Sequence, residues 1–390
     1  MNIPQSKIMK VVNNKSSIMD LPAEIVADIL SRNPIKITVH CRCVCKTWRA
    51  MLLEAYFIDL HLSRSPIGLI IHHSNPPHET DNLKLGVLDD KTDHHDIHYD
   101  PLMRFDLGLG FECNVLLLSG TVNGLICLWN YHNFVGYITN PVTREYILLP
   151  DHKYDRTPFT IATHGFGYVE ASNEYKVVSL YLEINMDMTV VDKSECKIYT
   201  LGTGMWRSLG HLPFSVISVR SGIYVCGNLH WLANDQNDAC NEIVCTFDLE
   251  KELFHLIASA PLFYGMDDND KDYRILGKLG GCLCIIDNTA DSELSIWVMK
   301  DYGIKESWTK EIVIKDKPGW LQYEIVQPLI SLKSGSILMV CYGHFLFTYC
   351  PESGAFQIIE CGPKDAYDAM VYVPSFIRLK SFMLEKVLVF

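Results

Sequence analysis

The sequence lacks an apolar run long enough to cross a membrane. Its longest such stretch, residues 115–129, is interrupted by serine, threonine, asparagine and glycine, so it falls short of the roughly 18 to 20 residues that a spanning helix needs. The N-terminal stretch also lacks an uninterrupted apolar segment of about 7 to 15 residues, so no secretion signal is predicted. We therefore expect a protein of the cytoplasm or the nucleus that does not contact membranes.

An excess of positive charge is missing as well. The 390 residues carry a net charge of −12, and the part after residue 65 carries −16, because residues 1–65 hold nine Lys and Arg against five Asp and Glu. Nucleic-acid phosphates attract basic surfaces, so this acidic body argues against nucleic acid as a partner. It permits a basic protein partner, although a role in solubility alone is favoured.

Several catalytic and cofactor-binding patterns are absent. No Gly-x-Ser-x-Gly and no Walker-type phosphate loop occurs, and the glycine pairs beginning at Gly108 and Gly165 lack the third glycine of a dinucleotide loop. Asp248, Asp287 and Asp291 lie near the ends of predicted strands and could form a carboxylate pair, but turn residues are the favoured interpretation. We therefore predict no catalytic residue and no cofactor.

Cysteine is abundant, with fourteen residues, yet no Cys-x-x-Cys pair occurs. The densest cluster, HCRCVC at residues 40–45, looks at first like a metal or redox site. On a helix, successive sulfurs at this spacing point about 200° apart, so they cannot converge on one tetrahedral ion. A cluster of Asp and His at residues 93–98 has no further ligand set, and a polar loop is favoured there. No metal site is predicted, and reduced, buried cysteine is the expected state.

The N-terminal region contains the pattern of two short amphipathic helices. Pro22 suits the first helical position and Glu24 the first turn, so a helix is predicted to start there and to end before Pro34. Its apolar stripe consists of Leu21, Ile25, Ile29 and Leu30.

A second predicted helix follows Pro34, with Cys43 on its polar side. Its apolar face consists of Ile37, Cys41, Val44, Cys45, Trp48 and Leu52. Two such helices bury too little surface to be stable alone, so their apolar faces need a partner, which could be another chain.

Residues 21–48 closely resemble the F-box motif. The similarity rests on LPxEI followed by ILxRxPIK, and then on VCKxW at residues 44–48, with Asn33 where the family usually has leucine. The resemblance implies that this module binds a Skp-family adaptor and, through it, a cullin scaffold. It also implies that the adaptor-facing residues are Leu21, Pro22, Ile25, Ile29, Leu30, Pro34, Ile35, Val44, Cys45 and Trp48. An internal packing role is left open for Cys45 and Trp48.

From residue 66 onward, short apolar runs separated by Gly, Asn, Asp and Pro are typical of β-structure. Tyr199, Phe247, Trp297 and Phe347 recur at intervals of 48, 50 and 50 residues, the length of a four-stranded propeller blade. Five complete units are predicted, at residues 113–150, 161–210, 222–257, 273–314 and 323–361. The strands left over near residues 68–99 and 369–379 would form a sixth blade closed from both ends, with five or seven blades as alternatives.

This region also resembles the F-box-associated domain of plant F-box proteins, the group that includes kelch-like and S-locus receptors. The similar segments are residues 119–127 (SGTVNGLIC), 140–145, 166–168, 175–178, 190–209, 227–232 and 247–249. The paired glycines of a true kelch blade are not regular here.

The expected fold is therefore mainly β, with a propeller of about six blades preceded by a small helical module. We predict a flexible segment at 1–19, an F-box module at 20–65 and a substrate-binding β domain at 66–390. The resemblance implies a non-catalytic substrate receptor of a Skp-cullin-F-box ubiquitin ligase that binds an unidentified target protein. The alternatives are a propeller hydrolase or sugar-binding protein with an incidental helical N-terminus, and an F-box protein that acts outside ubiquitin ligation.

Overall fold

The protein consists of two compact units, residues 1–65 and 66–390. The computed structural model describes residues 18, 21–73, 82–89, 98–106, 116–130, 134–151, 160–184, 190–212, 214–216, 220–234, 242–261, 273–359 and 367–389. The segment 1–19, for which flexibility was predicted, lies outside the described residues except for Ile18.

The first unit contains four helices within its described residues: α1 (Ala23–Ser31), α2 (Ile35–Cys41), α3 (Lys46–Met51) and α4 (Ala55–Arg64). Pro22 and Pro34 immediately precede α1 and α2 in an extended conformation, with ψ of 147° and 146°. Proline lacks the N–H that a helix leaves unpaired at its start, so both residues are well suited to these positions. The first predicted helix is confirmed, although it begins one residue after Pro22.

The prediction of one continuous helix after Pro34 is wrong. The chain leaves the helix after Cys41 through turns in which the Cys43 and Val44 amides donate to carbonyls three residues back. Cys45 is extended, and its Sγ accepts a hydrogen bond from the Trp48 amide at 3.4 Å, which caps α3. The break changes the register, so Val44 and Ile37 are exposed whereas Trp48 is buried.

The helices of this unit pack around a small apolar core. Its buried side chains are Val26, Ala27, Leu30, Ile35, Trp48, Met51, Leu52 and Phe57. Arg64 of α4 ties α1 in place, because its guanidinium binds the Asp28 carboxylate at 2.8 Å and donates to Ser31 Oγ at 2.6 Å.

The described residues of the second unit form six antiparallel sheets, which confirms the predicted six-bladed propeller. Four of them are built from consecutive segments of the chain. Their strands are β8 (Thr160–Val169), β9 (Glu174–Ile184), β10 (Val190–Thr200) and β11 (Trp206–Gly210); β12 (Ser215–Val216), β13 (Ile223–Val225), β14 (Asn228–Asn234), β15 (Glu242–Asp248) and β16 (Leu253–Ala258); β17 (Arg274–Leu279), β18 (Cys282–Asp287), β19 (Glu293–Met299) and β20 (Trp308–Lys315); and β21 (Val326–Ser331), β22 (Ile337–Cys341), β23 (Phe345–Tyr349) and β24 (Phe356–Ile359).

The other two sheets join both ends of the unit. Their strands are β1 (Gly68–His73), β2 (Asn82–Asp89), β3 (His98–Asp106) and β25 (Tyr367–Tyr372); and β4 (Leu116–Val122), β5 (Leu125–Asn130), β6 (Gly136–Asn140), β7 (Glu145–Leu148) and β26 (Val387–Val389). The blade closed from both ends is confirmed, since β25 pairs with β1 from Gly68 opposite Tyr372 to His73 opposite Tyr367. The fifth strand β26, which pairs with β7, was not predicted from the sequence.

An apolar cluster fills each of the six interfaces between neighbouring blades. At the interface of the blades β8–β11 and β12–β16, Trp231 packs against Gly222, and its indole N–H donates to Thr163 at 3.2 Å. A Cβ added to Gly222 would lie 2.5 Å from this ring. The close approach lets Gly165 and Gly222 form a parallel bridge from one blade to the next.

The eleven cysteines that the structure describes are free. Five of them are buried: Cys127, Cys196, Cys245, Cys284 and Cys341. Burial raises the pKa of the Cys127 and Cys196 thiols to about 12, so these side chains are uncharged small apolar groups at neutral pH.

None of the helices in the described residues is long and apolar enough to cross a membrane.

Candidate functional site

The helical unit presents apolar side chains on its own surface. Ile25 and Ile29 lie one turn apart on α1, and Leu21 lies four residues before Ile25, just ahead of the helix. All three are exposed, with Ile25 at 48% of its possible area. Val26 and Leu30 occupy the other side of α1 and are buried in the core of the unit. Helix α1 therefore has two apolar faces, and one of them is left uncovered in this chain.

The ten residues predicted to face an adaptor fall into three groups. Leu21, Pro22, Ile25, Ile29, Pro34 and Val44 are exposed, and Cys45 is partly buried as the cap of α3. Leu30, Ile35 and Trp48 are buried in the unit's own core. The structure thus brings the first group onto the surface, and it gives Cys45 and Trp48 the internal role that the sequence analysis left open. Adaptor binding by the ten residues stays a prediction.

Two further exposed apolar side chains on this unit were missed as surface residues. Ile37 lies on α2, where the assumption of one long helix had placed it on the inner face. Tyr56 lies in the first turn of α4, a helix that was not predicted as a separate element. No local signal marked the break that exposes them, because none of the residues 41–45 is a usual helix-start residue.

In the second unit, the Asn-Pro-x-Thr-Arg-Glu segment at residues 140–145 holds down the C-terminal part of the chain. Asn140 Nδ2 donates to the carbonyls of Ile377 at 2.6 Å and Ser375 at 3.2 Å. Glu145 accepts hydrogen bonds from the Arg378 guanidinium at 3.0 Å and from the Leu379 amide at 2.7 Å. Both Asn140 and Glu145 are buried, so this motif has a structural role.

Each carboxylate that was weighed as part of a catalytic pair has a structural partner. Asp248 accepts from the amides of Glu250 and Lys251 at 3.0 and 2.8 Å, which confirms it as a turn residue. Asp287 forms a buried ion pair with Arg274, whose Nε also binds Glu242 at 2.8 Å.

The third carboxylate, Asp291, accepts a hydrogen bond from the hydroxyl of Tyr323. The three side chains therefore hold turns and blades in place and do not form the pair of free carboxylates that glycoside hydrolysis uses.

A polar cluster in the second unit is formed by Arg220, Tyr342, Asp368 and His72. Arg220 stacks over the ring of Tyr342, 4.6 Å from its centroid, and Asp368 lies on β25 opposite His72 of β1. Burial raises the pKa of Asp368 to about 6, although His72 and Arg220 act in the opposite direction. These residues come from distant parts of the chain, so local sequence patterns could not reveal the cluster.

Metal-binding clusters were also considered. Within the described ranges, no group of three or more His, Cys, Asp and Glu side chains is arranged to hold a metal ion. The Asp and His cluster starting at residue 93 lies outside the described residues up to His98, of which the structure describes the backbone.

Comparison with known proteins identifies both units. Residues 18–57 match the family described as F-box-like, and residues 78–359 match the family described as F-box associated beta propeller domain. The chain is 29% identical over 373 residues to the F-box protein At3g07870 of Arabidopsis thaliana, covering 86% of either chain. It is 26% identical over 374 residues to the F-box/kelch-repeat protein At3g23880 of the same plant, covering 92% of this chain and 95% of that protein.

Similarity to solved structures is low. A puromycin-hydrolyzing peptidase of Mycobacterium tuberculosis has a TM-score of 0.36 and 12% identity, covering 75% of this chain and 44% of that one. Such a score supports no conclusion about activity. The resemblances described from the sequence are confirmed by the family matches and by the Arabidopsis relatives.

Proposed function

Because the chain belongs to the family of F-box proteins with an F-box associated beta propeller domain, we propose that it is the substrate-recognition subunit of a Skp-cullin-F-box ubiquitin ligase. In this proposal, the helical unit binds a Skp-family adaptor, and the propeller binds a target protein in the cytoplasm or the nucleus. The observation that supports it most directly is the uncovered apolar face of α1, formed by Leu21, Ile25 and Ile29. Burying such a face against another chain removes apolar area from water.

The mechanism needs no reactive group from this chain. The adaptor and the cullin connect the receptor to the conjugating enzyme, so a bound target is held at a high effective concentration near the transferred ubiquitin. The chain itself would supply two binding surfaces, one on the helical unit and one on the propeller. A hydrolase or sugar-binding role gains no support from the carboxylates considered above, since each of them binds a structural partner.

The adaptor surface can be tested with purified chain and purified Skp-family adaptor. Ile25→Glu places a charge on the exposed face of α1 and leaves the core residues Val26 and Leu30 untouched. We expect it to weaken adaptor binding by about 2–4 kcal/mol, and we expect Leu21→Ala with Pro22→Ala to have a similar effect, because buried anchor residues dominate interface energies. Isothermal titration calorimetry measures both.

The matched control is Leu256→Glu on the exposed outer strand β16 of the propeller, which should bind adaptor as the unaltered chain does. Adaptor binding that survives Ile25→Glu would contradict the proposed surface. A second measurement distinguishes this function from a role outside ubiquitin ligation. It compares the abundance of a bound target with and without a proteasome inhibitor. If the inhibitor has no effect on that abundance, the degradation step of the proposal is wrong.

A further inference from the structure

The most exposed large apolar side chains of the described residues come together at one place on the propeller. Met383, Leu384 and Met205 are exposed to 80%, 79% and 69%. Met383 and Leu384 belong to the segment 373–389, which we call the C-terminal strap, and Met205 belongs to the turn between β10 and β11. The strap and the turn touch, since a Cβ added to Gly204 would lie 3.7 Å from the Cβ of Leu384.

This exposure does not result from a loose chain end. The Glu385 carboxylate accepts hydrogen bonds from the Tyr199 hydroxyl at 2.5 Å and from the Gly202 amide at 2.7 Å. The ring of Phe382 meets Tyr175 edge-on, with 5.7 Å between the ring centroids. Contacts on both sides therefore hold Met383 and Leu384 in one position.

The backbone at this point adopts an unfavourable conformation. Leu384 has a φ of +65°, in the left-handed region that leucine rarely occupies. Non-glycine residues keep such a conformation where the surroundings determine it, and these cases concentrate at ligand-binding and functional sites. Here the hydrogen bonds of Glu385, the next residue, stabilise the turn that directs Leu384 into solvent.

The charges beside the exposed side chains differ from those of the rest of the unit. Lys380 and Lys386 are exposed on either side of Met383 and Leu384. Among the described residues, neither lysine forms an ion pair with a carboxylate. The carboxylate of Glu385, next to Lys386, accepts hydrogen bonds from Tyr199 and Gly202. Residues 380–386 therefore hold two lysines against one carboxylate, a local excess of positive charge on a unit whose net charge is −16.

We propose that Met205, Met383 and Leu384, flanked by Lys380 and Lys386, form a docking site for an acidic segment of the target protein that carries a large apolar side chain. This inference rests on the proposed function, because it assigns the target-binding role to one surface of the propeller. Methionine adapts its shape to different apolar partners, and the lysines attract carboxylates next to them. Because the contacts of Glu385 and Phe382 already fix the strap, binding costs less conformational entropy.

The probe for this site is a short synthetic peptide in which Leu and Phe lie among Glu residues. A second peptide has Lys in place of each Glu. The full chain on its own is labelled with 13C at the methionine methyl groups, and the peptides are titrated in. We expect the acidic peptide to shift the signals of Met205 and Met383 and the basic peptide to leave them in place.

Two variants test the site from different sides. Met383→Ser with Leu384→Asn removes the apolar surface, and it keeps the backbone because asparagine tolerates a positive φ. Lys380→Glu with Lys386→Glu reverses the local charge without touching the apolar cluster. Each variant should weaken binding of the acidic peptide more than about tenfold. The control, Leu253→Ser with Leu256→Ser, removes exposed apolar side chains from β16 and should bind as the unaltered chain does.

Several outcomes would overturn the proposal: no binding of the acidic peptide, equal binding of the basic peptide, or equal losses in the control. Concentration-dependent association of the chain that disappears in Met383→Ser with Leu384→Asn would assign the site to a second copy and would also overturn it. Adaptor binding, measured in parallel, should be unchanged in all these variants. If the unaltered chain does not bind the adaptor, the proposed function is wrong, whereas the peptide titration on the chain alone still tests the docking site.

Discussion

Asp368 of the polar cluster is expected to make the stability of the fold depend on pH. The pKa of Asp368 is raised from 3.8 to about 6 by burial, so the folded chain binds this proton more tightly than the unfolded chain does. Stability from this group is therefore greatest below pH 4 and is lost as the pH rises from about 4 to about 6. Its partial burial limits the loss to about 1–2 kcal/mol.

Asp368→Asn removes this titration. We expect the free energy of unfolding of the variant, relative to the unaltered chain, to increase by about 1–2 kcal/mol between pH 4 and pH 7. Chemical denaturation at a series of pH values measures it.

Asp248→Asn serves as a control of opposite sign. Burial tends to raise the pKa of Asp248, but hydrogen bonds from Lys251 lower it overall, so this side chain stabilises the fold at neutral pH and loses its effect as the pH falls through its pKa. Equal pH profiles for both variants would contradict the assignment.

The apolar stripe of α1 shows what a residue pattern can and cannot predict. The spacing of Leu21, Ile25, Ile29 and Leu30 correctly predicted an amphipathic helix. Periodicity assigned all four residues to one face, whereas Leu30 packs inside the unit and Ile25 and Ile29 remain exposed. An apolar side chain is removed from water equally well in the core of its own unit and at an interface with a partner chain. The sequence alone therefore does not distinguish an internal face from an interface.

At the scale of secondary-structure elements, the contact between neighbouring blades depends on glycine. Gly222→Ala would place a methyl group 2.5 Å from the ring of Trp231, and this ring is held by its hydrogen bond to Thr163. We expect the substitution to lower the free energy of unfolding by about 1–3 kcal/mol because a packed interface resists added volume. Urea denaturation followed by tryptophan fluorescence checks this value.

Gly319→Ala is the matched control, since a Cβ there would meet no atom within 4 Å. It should change the free energy of unfolding by less than about 0.5 kcal/mol. Similar losses for the two variants would show that the crowding at Trp231 is not the cause.

Helix α3 shows why an element boundary escaped prediction. A cysteine is not among the usual N-cap residues, yet the Cys45 sulfur accepts the Trp48 amide and starts a new helix. Apolar spacing across residues 37–52 also fitted one longer helix, because a four-residue break inserted between two helices leaves much of the pattern intact.

At the scale of the whole molecule, the ring depends on strand β25. Removing all residues after 359 deletes β25 and β26 and leaves Leu69 and Ile71 of β1 beside an empty strand position. We expect this truncated chain to lose cooperative unfolding and to aggregate, since an uncovered apolar sheet edge pairs with other chains. Size-exclusion chromatography and thermal denaturation measure both effects.

Removing only residues 387–390 is the corresponding control. It deletes β26, which pairs with β7 at the outer edge of a blade that already has four strands. This variant should stay monomeric and unfold cooperatively at a modestly lower temperature. Aggregation of both truncated chains would argue against a special role for β25.

The architecture of the ring was largely predictable, and its details were not. Regular spacing of Tyr199, Phe247, Trp297 and Phe347 indicated the blades, and strands left over at both ends indicated the closure. The fifth strand β26 and the exposed position of Met383 could not be predicted from the sequence. Both depend on the route of the C-terminal strap, which hydrogen bonds from Asn140 to Ile377 and from Leu379 to Glu145 determine.

The closure between β1 and β25 has a consequence for the order of events during synthesis. On the ribosome, residues 68–73 emerge long before residues 367–372, so the first blade waits for its innermost strand until the other five have been made. The apolar core of the helical unit is formed within residues 26–57, which are synthesised before the first blade. A nascent chain can thus form the uncovered apolar face of α1 while the propeller is still open.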